Sequence, residues 1–277
     1  CDWLIEMGPG GGPDGGTVPS TPRMKILVTN DDGVGAAGIL TLARAASHLG
    51  EVIIVGPDRE RSACGHSLTM RDPLRVKKST LQGFETHAVN GVPTDCVNIG
   101  REMFEVDLVL SGINHGPNLG IDVTYSGTVA GAIEGALNGI RSISVSLALF
   151  VEEAPMHLET AESWLRENLG WMTELEIPSN TFLNINIPSV LPENLRGHRF
   201  VPTGERVYED RIERREDPWG RLYYWQGGVA SMIDGQPGTD VEAIREGFVS
   251  ITPLSTDWTD RQALARLQEL GNRAATQ

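Results

Sequence analysis

The sequence predicts an α/β fold with a mostly parallel sheet and a β-rich C-terminal segment. Short apolar runs alternate with helical segments from Met24 onward, which is typical of strands buried on both faces. The first strand–helix–strand unit favours a parallel sheet with right-handed crossovers. After Pro188 this alternation stops, and short strands lie among Pro, Trp, Tyr and charged clusters.

The first unit is the clearest part of the pattern. Lys25–Thr29 (KILVT) is predicted as a buried strand, and Gly38–Leu49 (GILTLARAASHL) carries apolar residues at helical spacing. Gly50 is expected to end that helix. Val52–Val55 (VIIV) then forms the second buried strand, closed by Gly56-Pro57.

The next segment changes character before the strand–helix alternation returns. Partly alternating runs predict a hairpin excursion at Ser67–Met70, Leu74–Lys77 and Phe84–Val89. A helix capped by Thr94 is predicted over Thr94–Ile99, followed by a buried strand at Val106–Leu110 (VDLVL). A helix rich in Ala and Gly is then predicted over Thr128–Asn138 and should pack closely on the sheet. It is followed by a strand at Ile143–Leu147, an amphipathic helix at Leu158–Leu175 and another strand at Thr181–Ile187.

The two ends of the chain differ from this centre. Residues 1–23 are rich in Gly and Pro, cannot build a core, and are predicted to be a disordered tail. Residues 24–277 are predicted to form a single domain, in which about 189–277 is a β-rich extension and an oligomerisation arm. Its predicted elements are strands at Leu222–Gln226 and Gly247–Ile251 and a helix at Asp260–Leu270.

Composition limits the classes of function. The formal net charge of −14 and the pI of about 4.8 argue against binding a nucleic-acid polymer, which needs a basic face. A small phosphate ester stays possible if a metal cation supplies positive charge. No apolar run is long enough for a transmembrane helix, and three widely spaced cysteines fit the reducing cytoplasm.

Polar residues follow three of the predicted strands. Strand one ends in Asn30-Asp31-Asp32-Gly33, Ser62 follows strand two, and Asn114 follows the strand at Val106–Leu110. Ligands bind beyond the carboxyl ends of parallel strands, so Asp31, Asp32, Ser62 and Asn114 are expected to converge if these strands are neighbours. Their oxygen atoms suit Mg²⁺, Mn²⁺ or Ca²⁺ better than zinc. Alternatively, the two aspartates cap the next helix and Gly33 completes a turn.

A second motif precedes the Ala/Gly-rich helix. Ser126-Gly127-Thr128 follows a loop rich in Asn, Gly and Pro and is typical of an anion cradle at a helix N-terminus. The simpler alternative is a helix capped by Ser126 or Thr128 that binds no ligand. His66 and His115 lie in the candidate loops. Each is either an acid catalyst or an ordinary hydrogen-bonding group.

Motifs of competing enzyme classes are missing from the sequence. It has no G-x-G-x-x-G after the first strand, no G-x-x-x-x-G-K-[ST] and no G-x-S-x-G. The adjacent aspartates also differ from the Asp-x-Asp of haloacid-dehalogenase phosphatases, which weakens the case for an aspartyl-phosphate intermediate.

Taken together, the motifs resemble the SurE family, the survival-protein-E nucleotidases. The resemblance extends from Met24 to about Asp260. The matching stretches include MKILVTNDDG at 24–33, GPDR at 56–59, GHSLT at 65–69, GVPTDCV at 91–97, DLVLSGIN at 107–114, GPNLG at 116–120, YSGTVA at 125–130, NINIP at 184–188 and GFVSITPL at 247–254.

The resemblance implies a three-layer α/β/α sandwich with a Rossmann-like sheet and a C-terminal β extension used in homodimers or homotetramers. It also implies a metal-dependent phosphomonoesterase that hydrolyses nucleoside 5′- and 3′-monophosphates and short polyphosphate. One divalent ion, Mg²⁺ or Mn²⁺ (with Ca²⁺ as a substitute), would be bound by Asp31, Asp32, Ser62 and Asn114. Asn118, Ser126, Gly127 and Thr128 would contact the phosphate, and Asp32 or Asp31 would orient the metal-activated water. The alternatives are a nucleotide sensor without turnover and a structural oligomer.

Overall fold

The computed structural model describes residues 23–149, 154–232 and 237–274. The predicted tail at 1–23 therefore lies outside the described residues, apart from Arg23. The first half contains β1 (Met24–Thr29), α1 (Ala37–Ala46), β2 (Gly50–Pro57), β3 (Val76–Leu81), β4 (Phe84–Val89), α2 (Pro93–Met103) and β5 (Leu108–His115). The second half contains α3 (Gly127–Leu137), β6 (Arg141–Ala148), α4 (Leu158–Thr173), β7 (Thr181–Pro188), β8 (His198–Phe200), β9 (Arg206–Glu216), β10 (Leu222–Met232), α5 (Asp240–Arg245), β11 (Val249–Ser255) and α6 (Arg261–Ala274).

The central sheet runs in the order β3-β4-β2-β1-β5-β6-β7-β11-β8. The inner strands from β4 to β7 are parallel, whereas β3 and β11 pair antiparallel with β4 and β7. From β1 the chain first builds the sheet outward through β2 and then returns to β5 on the other side. The boundary between β1 and β5 is therefore a topological switch point, where ligand sites of open α/β sheets lie.

Helices cover both faces of this sheet. Ile26 and Val28 of β1 pack with α1 and α4 in the largest apolar cluster, while Leu27 faces a second cluster with Cys96 and Val97 of α2. The alternation follows from the period of two in a strand. The helix α3 also packs on this second face, so closely that a Cβ on Gly131 would lie 2.6 Å from Ser111 Oγ. The structure confirms the three-layer α/β/α prediction and the close packing of α3.

Most differences from the predicted elements are local. Helix α1 ends at Ala46, where the backbone N–H and the hydroxyl of Ser47 both donate to Arg44 O. Helix α2 begins at Pro93, whose fixed φ suits the first helical position. Residues 67–70 form no strand; there the Thr69 N–H and hydroxyl donate to the buried Asp95 carboxylate instead.

The C-terminal segment divides between two structures. β9 and β10 form a separate two-stranded antiparallel hairpin. β11 instead enters the central sheet between β7 and β8, so the strand predicted at Gly247–Ile251 belongs to the core. Within the three described ranges no helix is long and apolar enough to cross a membrane.

Candidate active site

A polar cleft of about 270 Å³ lies at the carboxyl ends of β1 and β5. It is lined by residues from all the predicted strand-end loops: Asp31, Asp32, Ser62, Ala63, Asn114, His115, Pro117, Asn118, Asp122, Tyr125 and Ser126. The four predicted metal-ligand residues thus border one cleft. Their role as ligands stays a prediction, as do the phosphate contacts.

The turn after β1 is built by Asn30 and Gly33. The buried Asn30 amide donates to Gly33 O (3.1 Å) and accepts from Gly33 N (3.2 Å). Gly33 has a φ of +97°, a conformation that a glycine adopts without steric cost. Helix α1 begins later, after Ala36, and has no side-chain cap. The alternative in which the aspartates cap that helix is therefore wrong, whereas Gly33 does complete the turn.

Asp31 is held by the protein on the α3 side of the cleft. Only 4% of its surface is exposed, and its carboxylate accepts a short hydrogen bond from the Thr128 hydroxyl. Burial raises the pKa of Asp31, and the bond from Thr128 together with the backbone N–H groups of Gly127 and Thr128 lowers it in part. The charge of Asp31 is therefore desolvated and only partly compensated within the chain.

Asp32 follows Asp31 in the bend after β1 and borders the same cleft. Its Oδ2 accepts a long hydrogen bond from the backbone N–H of His115 (3.4 Å). Burial and, after it, the charge of Asp31 raise the pKa of Asp32 to about 6. Two desolvated carboxylates side by side form a site of strong negative potential, which a cation would relieve.

Asn114 presents an oxygen to the same region. The register of β5 against β6 shifts between Ser111 and Asn114. The Asn114 amide donates to Gly116 O (2.9 Å), and this directs Oδ1 to 3.4 Å from the Thr128 hydroxyl that binds Asp31. The Ser62 hydroxyl lines the cleft as well and donates to Glu60 Oε1 (2.7 Å).

The donor set contains only two carboxylates, and the other donors are neutral oxygens. Accordingly, no cluster of three or more His, Cys, Asp or Glu side chains able to hold a metal occurs in the described part of the chain. All-oxygen donors suit hard divalent ions, so the residues present fit Mg²⁺ or Mn²⁺.

The N-terminus of α3 forms one wall of the cleft. Ser126 caps the helix by accepting from Val129 N (3.0 Å), and its own O–H remains available to donate. A Cβ on Gly127 would lie 2.8 Å from Asp31 Cβ and 2.7 Å from Cys64 Sγ, so only glycine lets the helix approach this closely. The Thr128 hydroxyl proton is already donated to Asp31, which makes Thr128 a support for the carboxylate.

Sequence reasoning missed the residues that hold Asn118 and its loop. Asn118 is bound by Ser146, Asn184 and Asn186 at distances of 2.8 to 3.0 Å. The buried Asp240 carboxylate accepts from the backbone N–H groups of Gly120 (2.9 Å), Gly204 (2.6 Å) and Val241 (2.8 Å). In the sequence, Asn184 and Asn186 belong to the family-like NINIP stretch, and Asp240 ends a GTD stretch at 238–240 that also resembles the family, whereas Ser146 lies in neither.

The two loop histidines occupy different environments. His66 lies outside the residues that line the polar cleft, and its Nε2 is 2.8 Å from Oε2 of Glu134 on α3. This hydrogen bond lowers the pKa of Glu134. His115 borders the cleft. His66 therefore has a structural partner, and the geometry favours the hydrogen-bonding alternative for it.

Comparisons with known proteins agree with the resemblance. The family model described as "Survival protein SurE" matches residues 26–210. A 5′-nucleotidase SurE of Gemmatimonas aurantiaca is 46% identical over 245 residues, which is 87% of this chain and 96% of the relative. The corresponding protein of Thermosipho melanesiensis is 46% identical over 250 residues, covering 89% and 97% of the two chains.

A solved structure supports the same relationship. The crystal structure of the SurE protein from Aquifex aeolicus superposes with a TM-score of 0.76 at 39% identity, and the match covers 89% of this chain and 99% of that one. A cleft bordered by paired aspartates at the β1–β5 switch point, together with this similarity along the chain, shows that the protein belongs to the SurE family.

Proposed function

We propose that the protein is a metal-dependent phosphomonoesterase that hydrolyses nucleoside 5′-monophosphates to nucleoside and phosphate. The observation that carries the proposal is the meeting of two desolvated carboxylates with the N-terminus of α3 in one cleft. The names of the SurE relatives as 5′-nucleotidases support this choice of substrate. Activity on 3′-monophosphates and short polyphosphate belongs to the same proposal, because the proposed contacts address a terminal phosphoryl group and not the rest of the substrate.

Asp31, Asp32, Ser62 and Asn114 would hold one divalent ion, which we propose to be Mg²⁺ or Mn²⁺, with Ca²⁺ as an alternative. When bound, such an ion polarises the phosphoryl group and lowers the pKa of water. Thr128 keeps Asp31 in place through its hydroxyl. The contact between the Asn114 amide and Gly116 O keeps the Asn114 carbonyl oxygen turned inward.

The helix α3 would receive the phosphate. The helix dipole favours an anion near Gly127, and the Ser126 O–H adds a donor there. The Asn118 amide borders the same cleft. These groups would stabilise the charge that develops on the equatorial oxygens during transfer. Thr128 would support the phosphate site indirectly, since its hydroxyl and its backbone N–H both act on the Asp31 carboxylate.

The two aspartates would have different roles. Asp31 is fixed by Thr128 and by α3, so it serves best as a charged ligand. Asp32 borders the cleft and accepts a long hydrogen bond at Oδ2 from the backbone N–H of His115. Its Oδ1 would orient the attacking water and accept the proton.

Oligomerisation is a further part of the proposal. The β9–β10 hairpin exposes Trp219, Tyr224 and Trp225, and α6 exposes Leu267 and Leu270. Apolar surfaces of this kind commonly mark protein interfaces, and we propose a homodimer or homotetramer. The thiols of Cys64 and Cys96 are free, which supports a reducing, cytoplasmic location.

The test is a phosphate-release panel over nucleoside 5′- and 3′-monophosphates and polyphosphate, with and without each divalent ion. We expect turnover with Mg²⁺ or Mn²⁺ that a chelator abolishes. Asp32→Ala and Asn114→Ala should each lower kcat/KM by about a hundredfold or more, while Asp72→Ala, an exposed loop control, should not. Tight nucleotide binding without turnover under any metal would instead favour a nucleotide sensor.

A further inference from the structure

Four fully buried polar residues form a patch on β6 and β7. Ser144 lies beside Asn184, and Ser146 lies beside Asn186, in the parallel register of the two strands. The alternate residues of both strands are apolar and face the α1–α4 cluster. The patch therefore occupies the opposite face of the sheet, the same face as the Phe182 side chain that packs against α3.

Four hydrogen bonds from this patch converge on Asn118. The Asn186 side chain accepts from Asn118 N (2.8 Å) and donates to Asn118 O (3.0 Å), so one amide pairs with both backbone groups of one residue. Asn184 also donates to Asn118 O (2.9 Å). The fourth bond runs from the Asn118 amide nitrogen to Ser146 Oγ (2.8 Å).

These bonds fix both the backbone and the side chain of Asn118. An asparagine amide offers two donor hydrogens and one acceptor oxygen. Ser146 takes one hydrogen, and no described residue takes the oxygen or the second hydrogen. Asn118 also borders the polar cleft beside Asp31 and Ser126. Its remaining amide groups thus meet whatever binds there.

We propose that Ser146 and Asn186 are positioning residues that orient the Asn118 amide toward the phosphoryl group. The inference rests on the proposed phosphatase function and deepens it. A buried polar patch costs free energy unless its groups are paired, and here most of the pairing goes to a single loop residue. The patch fixes the direction of an amide at the cleft, which apolar residues of similar size would not do.

The clearest test uses Ser146→Ala, because Ser146 touches only the Asn118 side chain among the contacts described above. Ser142→Ala is the matched control: it is also buried on β6, on the same face, but its hydroxyl donates to Ile140 O. Loss of one oriented hydrogen bond should lower kcat/KM for a nucleoside monophosphate about tenfold. The effect should appear in KM and in the Kd for inorganic phosphate, while Mn²⁺ binding stays unchanged.

A double-mutant cycle separates orientation from general destabilisation. In an Asn118→Ala background, Ser146→Ala should change kcat/KM by less than about twofold, since the oriented amide is already gone. Equal losses in both backgrounds, or a Ser146→Ala variant that behaves like Ser142→Ala, would overturn the inference. If the wild-type protein hydrolyses no nucleotide, the proposed function fails, and the phosphate Kd measured by calorimetry still tests the role of Ser146.

Discussion

Gly127→Ala is the substitution for which the structure gives the most definite geometry. The added Cβ would lie 2.7 Å from Cys64 Sγ, 2.8 Å from Asp31 Cβ and 2.9 Å from Asp31 Oδ2. Carbon atoms in contact normally lie about 3.5–4.0 Å apart, so Asp31 or the start of α3 must move by roughly 0.7 Å or more.

The size of the effect follows from two opposing contributions. Overpacking of a buried site costs about 1–3 kcal/mol, and the better helix propensity of alanine recovers at most about 1 kcal/mol. We therefore expect the free energy of unfolding to fall by about 1–2 kcal/mol. Activity should fall much more, by about a hundredfold, because displacement by about 1 Å at a catalytic group has that consequence.

Urea unfolding and phosphate release measure the two effects separately. Gly170→Ala on α4 is the matched control, since its added Cβ would meet nothing closer than Leu49 Cδ2 at 3.7 Å; it should keep full activity and gain up to about 1 kcal/mol. Combining Gly127→Ala with Cys64→Ala removes only the sulfur contact and should leave activity low. A Gly127→Ala enzyme with the kcat/KM and the free energy of unfolding of the wild type would refute the reasoning.

Three further predictions concern pH. The hydrogen bond from His66 depresses the pKa of Glu134, so its stabilisation is present above the ordinary pKa of 4.5 and is lost as pH falls through the lower, folded-state value. Glu134→Gln should cost about 1.5–3 kcal/mol at pH 7, a difference that shrinks in urea titrations toward pH 3.5; a constant difference would contradict this. Asp32 has its pKa raised to about 6, so metal-free protein should lose stability as pH rises through 6, and Asp32→Asn should remove that loss. Mn²⁺ affinity measured by calorimetry should weaken below about pH 6 as Asp32 protonates, and an affinity unchanged from pH 8 to 5 would count against the assignment.

The sequence predicted those parts of the site that depend on local pattern. The apolar run before Asp31 identified a buried strand, and the carboxyl end of such a strand is where polar residues meet a ligand. The Ala/Gly-rich run after Ser126 identified a closely packed helix, whose N-terminus borders the cleft. Both features occupy a few consecutive residues, so one chain suffices to find them.

The supports of the site could not be predicted in this way. Thr128 lies 97 residues from the aspartate it binds, and Asn186 lies 68 residues from Asn118. A buried polar residue on a strand looks the same in sequence whether it faces a helix or a loop. Similarly, short apolar runs near the C-terminus do not reveal that β11 joins the central sheet antiparallel to β7, because pairing partners depend on topology.

The Asp240 carboxylate, which helps to hold the cleft, is synthesised later than the residues that line the cleft. Asp240 binds the N–H of Gly120, 120 residues earlier in the chain, and the strand that follows it, β11, completes the sheet beside β7. A growing chain that has reached only residue 239 already contains Asp31, Asp32, Ser62 and Asn114 but lacks this anchor for the Asn118 loop. During synthesis the residues for the chemistry therefore emerge first, and the structure that holds them in place is finished last.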